Sequence, residues 1–195
     1  MRLGLFGGTF NPIHLGHLLL AESAREQCRL DQVWFMPTAT PPHKASRELL
    51  DGAARLSLIR LALRGHAAFR ASDLELRQGG VSYTIHTLRA IAGRHPDAQL
   101  FLIVGSDLLG VRWYAAEEIR RLCTIVVAER ARSGGSPRGL LSAPGRTRRI
   151  VMPPIEISSS MIRARIRRGR SIRYMVPDAV ATAIARRGWY RRGRR

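Results

Sequence analysis

"LGLFGGTFNPIHLGHLLLAESAREQC", residues 3–28, sets the fold of this chain. Residues 3–6 (LGLF) are a continuous apolar run of strand length, and Gly7-Gly8 end it. Residues 15–28 carry Leu15, Leu18, Leu19, Glu22 and Ala24-Arg25, a helical pattern with its apolar face first. A strand, a glycine turn and an amphipathic helix in that order begin a parallel-strand crossover. The turn also concentrates chemistry, with a proline and with His14 and His17 three residues apart.

The same alternation continues outward. VWFMP (33–37) is a second short apolar run closed by proline, followed by the polar loop TATPPHKASRE (38–48). A second helix is expected from Asp51 to Gly65, then a short strand and its exit over 69–76. GGVSYTIHTLRAIAGR (79–94) reads as a turn, an extended stub and a helix ending at Gly93. AQLFLIVG (98–105) is the strongest buried strand, SDLLGVRWYAAEEIRRL (106–122) a loop with helical pieces, and TIVVAER (124–130) another strand. Residues 130–148 lack periodicity and predict a long surface loop. RIVMPP, IEIS and SSMIRARIRRG follow, with a last helix over about 177–187.

Short apolar strands alternating with amphipathic helices predict an α/β fold, a doubly wound, Rossmann-like parallel sheet with helices on both faces. Residues 1–188 form one domain and residues 189–195 a basic C-terminal tail on this reading. Ligands of such sheets bind beyond the carboxyl ends of the strands. The segments expected there are Gly7–His17, Thr38–Lys44, Gly105–Trp113 and Ser158–Arg163, which also carry the unusual residues.

The chain of 195 residues, 45% of them hydrophobic, can bury a sizeable core. Its first apolar run is too short for a signal peptide, and no stretch has the length to span a bilayer. Cys28 and Cys123 lack metal-site spacing and fall in apolar segments, which suits reduced core residues of a cytoplasmic protein. The formal net charge of +19 rests on arginine, since Lys44 is the only lysine. Much of it is spread along helices as REQCR, RARIRR and ARRGWYRRGRR, so solvated helix faces and a tail account for it, with no specific nucleic-acid partner and no membrane.

Gly7-Gly8 let the chain turn sharply and let a ligand approach the main chain. The N–H groups of the loop and of the next helix's first turn suit phosphate oxygens. No Gly-Lys-Ser/Thr follows, so this is not a Walker loop, and the flanking histidines set it apart from the dinucleotide fingerprint. His14 and His17 lie on one side of the helix start, with Gly16 keeping that surface open. Zinc would want a third ligand and a nearby carboxylate, and only His43 offers itself. Structural histidines are a second reading, and phosphate recognition by imidazole N–H donors at a helix N-terminus is the one favoured. In EISSSMIRARIRRG (156–169) the serines read as N-caps, yet three hydroxyls with Arg163 a turn inside exceed what a cap needs. PPHK (41–44) sets a histidine and the lysine on a proline-stiffened loop, where a solvated turn is an equal reading.

GGTFNPIHLGH, PPHK, SYTIHTL, GSD, RWY and ISSSMIRARIRRGRSIRYMVPDAV, in this order, resemble the bacterial nicotinate-mononucleotide adenylyltransferases. The likeness spans residues 3 to about 187. The wider nucleotidyltransferase superfamily has an H-x-G-H element, matched by His14-Leu15-Gly16-His17, and an I-S-x-x-x-x-R element, matched by Ile157-Ser158 through Arg163.

The resemblance implies adenylyl transfer from ATP to nicotinate mononucleotide, giving deamido-NAD and pyrophosphate, a step of NAD biosynthesis. It implies catalytic roles for His14, His17 and Arg163, and an ATP site drawn from Gly7, Gly8, Thr9, Phe10, His14, His17, Lys44, Gly105, Asp107, Ile157, Ser158, Ser159 and Arg163. Asp107 would accept from the ribose hydroxyls, and Mg²⁺ would arrive with the nucleotide. The mononucleotide would meet Asn11, Lys44, Tyr83, Thr84 and Trp113, with the Thr84 main chain on the pyridine carboxylate and Trp113 stacked on the ring. No metal ligands are implied, and a homo-oligomer is compatible. His86 departs from the family's usual aspartate. Pantetheine-phosphate adenylyltransferases share the histidine element, but SYT and RWY are not part of their pattern. An arginine-rich nucleic-acid binder would need aromatics among its arginines, which only RRGWYRRGRR approaches.

Overall fold

The computed structural model describes residues 1–40, 49–105, 113–129 and 145–191. In chain order they form β1 (Arg2–Gly8), α1 (Leu15–Gln27), β2 (Gln32–Pro37), α2 (Gly52–Ala62), β3 (Phe69–Ala71), α3 (Leu74–Gln78) and α4 (Thr84–Arg94). There follow β4 (Gln99–Val104), α5 (Ala116–Leu122), β5 (Cys123–Glu129), β6 (Thr147–Val151), α6 (Ser159–Arg167) and α7 (Asp178–Arg187).

The six strands make one sheet of order β3-β2-β1-β4-β5-β6, every pair parallel. The doubly wound α/β architecture read from the sequence is the one observed. Period-two alternation sorts the strand side chains between two cores. Phe101 and Ile103 of β4 join Phe6, Val33 and Val126 under α1, α2, α6 and α7. Leu100, Leu102 and Val104 join Leu3, Leu5 and Ile125 under α3, α4 and α5. The central strands are buried on both faces, which is why they read as unbroken apolar runs. Strand order reverses between β1 and β4, so the chain leaving those two strands opens on the crevice where such sheets take ligands.

Several boundaries differ from expectation, each for a local reason. β1 runs through Gly7 and Gly8, which pair with Met36 and Pro37, so the glycines do not end the strand. The turn comes at Phe10, with φ of 46°, and at the cis Asn11-Pro12 peptide. α2 stops at Ala62, three residues before Gly65, which turns the chain with φ of 83°. The exit from β3 contains the short helix α3. The loop expected over 130–148 yields Thr147 and Arg148 to β6, an edge strand whose first three residues are exposed and carry no apolar signal; residues 130–144 lie outside those described. Trp189 and Tyr190, expected in the tail, instead pack against the core beneath α7.

Cys28 and Cys123 are buried free thiols, as read. Burial pushes the Cys123 thiol up to about 12 and raises Cys28 as well, so neither is a ready nucleophile. Among the described residues no helix is long and apolar enough to cross a membrane.

Candidate active site at the switch point

The loop leaving β1 is shaped by aromatic packing. A Cβ on Gly8 would lie 3.0 Å from the Phe10 ring, so glycine lets that ring fold back beneath the strand end. Phe10 is buried and meets Phe6 edge-on at 5.4 Å and His17 at 5.0 Å. Its ring belongs to the core, and what Phe10 can offer a ligand is main chain.

His14 is the N-cap of α1, in extended conformation, and its own N–H donates to His17 Nδ1 at 3.2 Å. An Nδ1 that accepts is unprotonated, so the neutral His17 ring carries its proton on Nε2 and is a donor there. The two imidazoles stack at 3.6 Å between centroids with 25° between planes. Gly16 permits this, because a Cβ there would press on His14 Nδ1 at 3.1 Å. Helix spacing alone would set the rings side by side; the missing side chain between them lets His14 lean across the first turn. Leu15 N–H, expected to face a ligand, donates instead to Met175 O at 3.0 Å.

His14 is 6% exposed, and burial lowers its pKa to about 4. Its Nδ1 is buried with no hydrogen-bond partner among the described residues. The ring is therefore neutral near pH 7. Since the folded pKa lies below the unfolded value of 6.5, the unfolded chain binds the extra proton between those values. This contribution is fully present above pH 6.5 and is lost as pH falls toward 4, amounting to about 3 kcal/mol when complete. Urea denaturation at pH 7.0, 5.5 and 4.5 should show the parent losing more stability than His14→Asn over that window. Parallel losses in both proteins would mean that His14 is not held neutral by burial.

α6 closes on this loop from the other side. Ser158 caps the helix, its Oγ accepting from Met161 N–H at 3.2 Å. Ser159 Oγ donates to Pro12 O at 2.8 Å, and Arg163 Nη1 donates to Asn11 O at 2.8 Å. The surplus polar groups of the serine run thus tie the second helix start to the histidine loop. Ile157, half-buried, packs against the core just before the cap. Two helix N-termini, α1 and α6, meet at one loop, and both dipoles present their positive ends there.

Arg55 escaped the sequence reading. It is 1% exposed on α2, and its guanidinium donates to Leu50 O at 2.9 Å, Thr9 O at 3.0 Å and Thr38 O at 2.7 Å. One planar fork therefore joins the exits of β1 and β2 to the approach of α2. Glu75 of α3 is also buried; its Oε1 accepts from Thr87 Oγ1 at 3.0 Å, and burial raises its pKa. Nothing in the sequence distinguished either residue from an exposed helix charge.

Of the segments expected to hold a pyridine, SYT lies beside the exit of β2, with Tyr114 against Tyr83. Ala39 N–H donates to Ser82 Oγ at 2.9 Å, and Thr40 bridges Val81, which brings SYT to the end of β2. Tyr83 is the N-cap of α4 and Thr84 its first residue. The Tyr83 ring is 5.1 Å from Tyr114, next to Trp113, which packs against the α4–α5 core. Arg89 holds Glu118 through two hydrogen bonds, 2.7 and 2.6 Å, coupling α4 to α5. Tyr114 is 64% exposed and was not singled out from the sequence. His86 lies on the exposed side of α4, edge-on to Tyr83. Gly105 directly follows β4; Lys44, Asp107 and His43 lie outside the described residues. Among the described residues no group of three or more His, Cys, Asp or Glu could hold a metal ion.

Comparison with known proteins places the chain in a family and supports its fold. The cytidylyltransferase-like family pattern matches residues 5–165. A Synechococcus sp. (strain JA-3-3Ab) protein named "Probable nicotinate-nucleotide adenylyltransferase" is 44% identical, over 97% of this chain and 94% of its own. A relative of the same name from Salinibacter ruber is 42% identical over 98% of both chains. Among solved structures, Plasmodium falciparum nicotinic acid mononucleotide adenylyltransferase complexed with NaAD superposes with a TM-score of 0.81, covering 97% of each chain at 18% identity. At that identity the likeness speaks for the fold.

Proposed function

Since the chain belongs to the nicotinate-nucleotide adenylyltransferase family, we propose that it joins the adenylyl group of ATP to nicotinate mononucleotide, with the switch-point loop as its catalytic centre. A phosphate oxygen of the mononucleotide attacks the α-phosphorus in line, and the bond to the β-phosphate bridging oxygen breaks. Deamido-NAD and pyrophosphate result, with no covalent enzyme intermediate. Such a reaction asks a protein to position two anions and to stabilise charge moving onto the leaving pyrophosphate. The observation that carries this reading is the stacked pair His14–His17 at one helix start, facing Ser158, Ser159 and Arg163 at another.

In this assignment Gly7, Gly8, Thr9 and Phe10 supply backbone to ATP, and His17 Nε2–H and Arg163 donate to its phosphates. Gly105 and Asp107 take the adenosine, and Lys44 joins the ATP phosphates. Ile157 and Ser158 set the start of α6, and Ser159 keeps its main-chain N–H at that start while its hydroxyl serves Pro12. Asn11, Tyr83, Thr84 and Trp113 take the mononucleotide. Mg²⁺ enters on the ATP phosphates as part of the substrate. Water-soluble substrates fit a cytoplasmic enzyme.

Offered ATP, Mg²⁺ and each of nicotinate mononucleotide, its amide and phosphopantetheine, the purified protein should form product from the acid at the highest kcat/KM, identified by mass. Main-chain N–H groups at the start of α4 can all donate to a carboxylate, whereas a carboxamide turns an N–H of its own toward them. Equal efficiencies for acid and amide would remove Thr84 from that role, and turnover of phosphopantetheine alone would overturn the substrate assignment.

A further inference from the structure

The last described turn of the chain reaches back to the first loop. Gly188, with φ of 64°, caps the end of α7, and Tyr190 repeats that left-handed conformation, also at 64°. Residues with a Cβ rarely adopt it, so the surroundings must hold it. Trp189 and Tyr190 pack against the core under α7, and the Tyr190 hydroxyl lies 2.7 Å from Asn11 Oδ1, 179 positions earlier.

The direction of that hydrogen bond follows from a second one. Leu50 N–H lies 3.2 Å from the same Asn11 atom. A backbone amide only donates, so this atom is the carboxamide oxygen and not the nitrogen. The Tyr190 hydroxyl must therefore donate as well, and both acceptor positions of Oδ1 are filled. Burial pushes the Tyr190 hydroxyl well above the usual phenol range, which keeps it a protonated donor. Arg163 meanwhile holds the main-chain carbonyl of the same residue. Asn11, itself 5% exposed, is pinned through its backbone by α6 and through its side chain by the C-terminal turn.

We propose that Tyr190 is a positioning residue of the mononucleotide site: by filling Asn11 Oδ1 it fixes the carboxamide so that its NH₂ end, and not its oxygen, is what the anionic mononucleotide meets. The inference rests on the assignment of Asn11 to that substrate. It makes the turn after α7 part of the active site, where the sequence alone suggested a solvated tail.

Tyr190→Phe keeps the ring in the core and removes only the hydroxyl. Its KM for nicotinate mononucleotide should rise roughly tenfold, the loss of one buried orienting hydrogen bond, with KM for ATP within about twofold of the parent. In an Asn11→Ala background the same substitution should have no further effect on that KM, because the group it orients is gone. A chain ending at Arg191 should keep parental constants, and one ending at Gly188 should show the mononucleotide defect. Equal rises in both KM values, or the same Tyr190→Phe effect with and without Asn11, would reduce Tyr190 to core packing and overturn the proposal. A silent Asn11→Ala would overturn it too, while leaving the reaction itself intact. Failure of the reaction would be seen separately, as a parent chain that forms no deamido-NAD.

Discussion

His17→Ala should turn over roughly a hundred to a thousand times more slowly than the parent, with a much smaller change in KM for ATP. The expectation follows from how the ring is held. His17 Nδ1 is committed to His14 N–H, its face lies on His14 and its edges meet Phe10 and Phe6. A donor fixed in this way needs no reorganisation when charge moves onto the departing pyrophosphate. It is worth more in the transition state than to bound ATP, so its loss falls on kcat. Steady-state kinetics with folding checked by circular dichroism would test this. A folded His17→Ala working near the parental rate would remove the phosphate role. Recovery of rate on adding zinc would return the pair to the metal reading.

The features legible in the sequence were those written in neighbouring residues. β4 and β5 could be read because burial on both faces makes their apolar runs continuous, and α1 because its apolar residues recur at helical spacing. That the two histidines share one side of the helix start was legible, because a spacing of three residues sets it; that their rings stack across Gly16 was not. β6 was not, because an edge strand that exposes Thr147, Arg148 and Arg149 has no pattern to show. Gly7-Gly8 misled in detail: both lie within β1, Gly8 makes room for the Phe10 ring, and the chain turns at Phe10 instead.

The supports of the site were hidden for a different reason. Arg55 looks in GAARLSLIRLA like any solvated helix charge, and only the fold brings the carbonyls of Thr9, Thr38 and Leu50 around it. The same holds for Tyr190, which looked like an aromatic in a basic tail. Carbonyls of one loop, at Thr9, Asn11 and Pro12, are held by side chains far along the sequence: Arg55 of α2, and Arg163 and Ser159 of α6. No periodicity encodes such partners. They are recoverable only once the topology has set the first loop beneath α2, α6 and the C-terminal turn.

Arg163→Ala should match the His17 loss in kcat, roughly two to three orders of magnitude, and should add a defect that His17→Ala lacks. Its Nη1 holds Asn11 O, so its removal takes a cation from the phosphates and also frees the residue assigned to the mononucleotide. KM for nicotinate mononucleotide should therefore rise in Arg163→Ala and stay near parental in His17→Ala. Arg163→Lys separates the two duties. An ammonium restores the charge but cannot reach a carbonyl and a phosphate with one planar fork, so the rate should recover by about tenfold and the mononucleotide KM hardly at all. With both side chains assigned to the same leaving group, the double variant His17→Ala/Arg163→Ala should be far less impaired than the product of the single losses. Full multiplicativity would mean that the two act on different steps. In that case Arg163 would be a loop anchor alone, and Arg163→Lys would be as slow as Arg163→Ala.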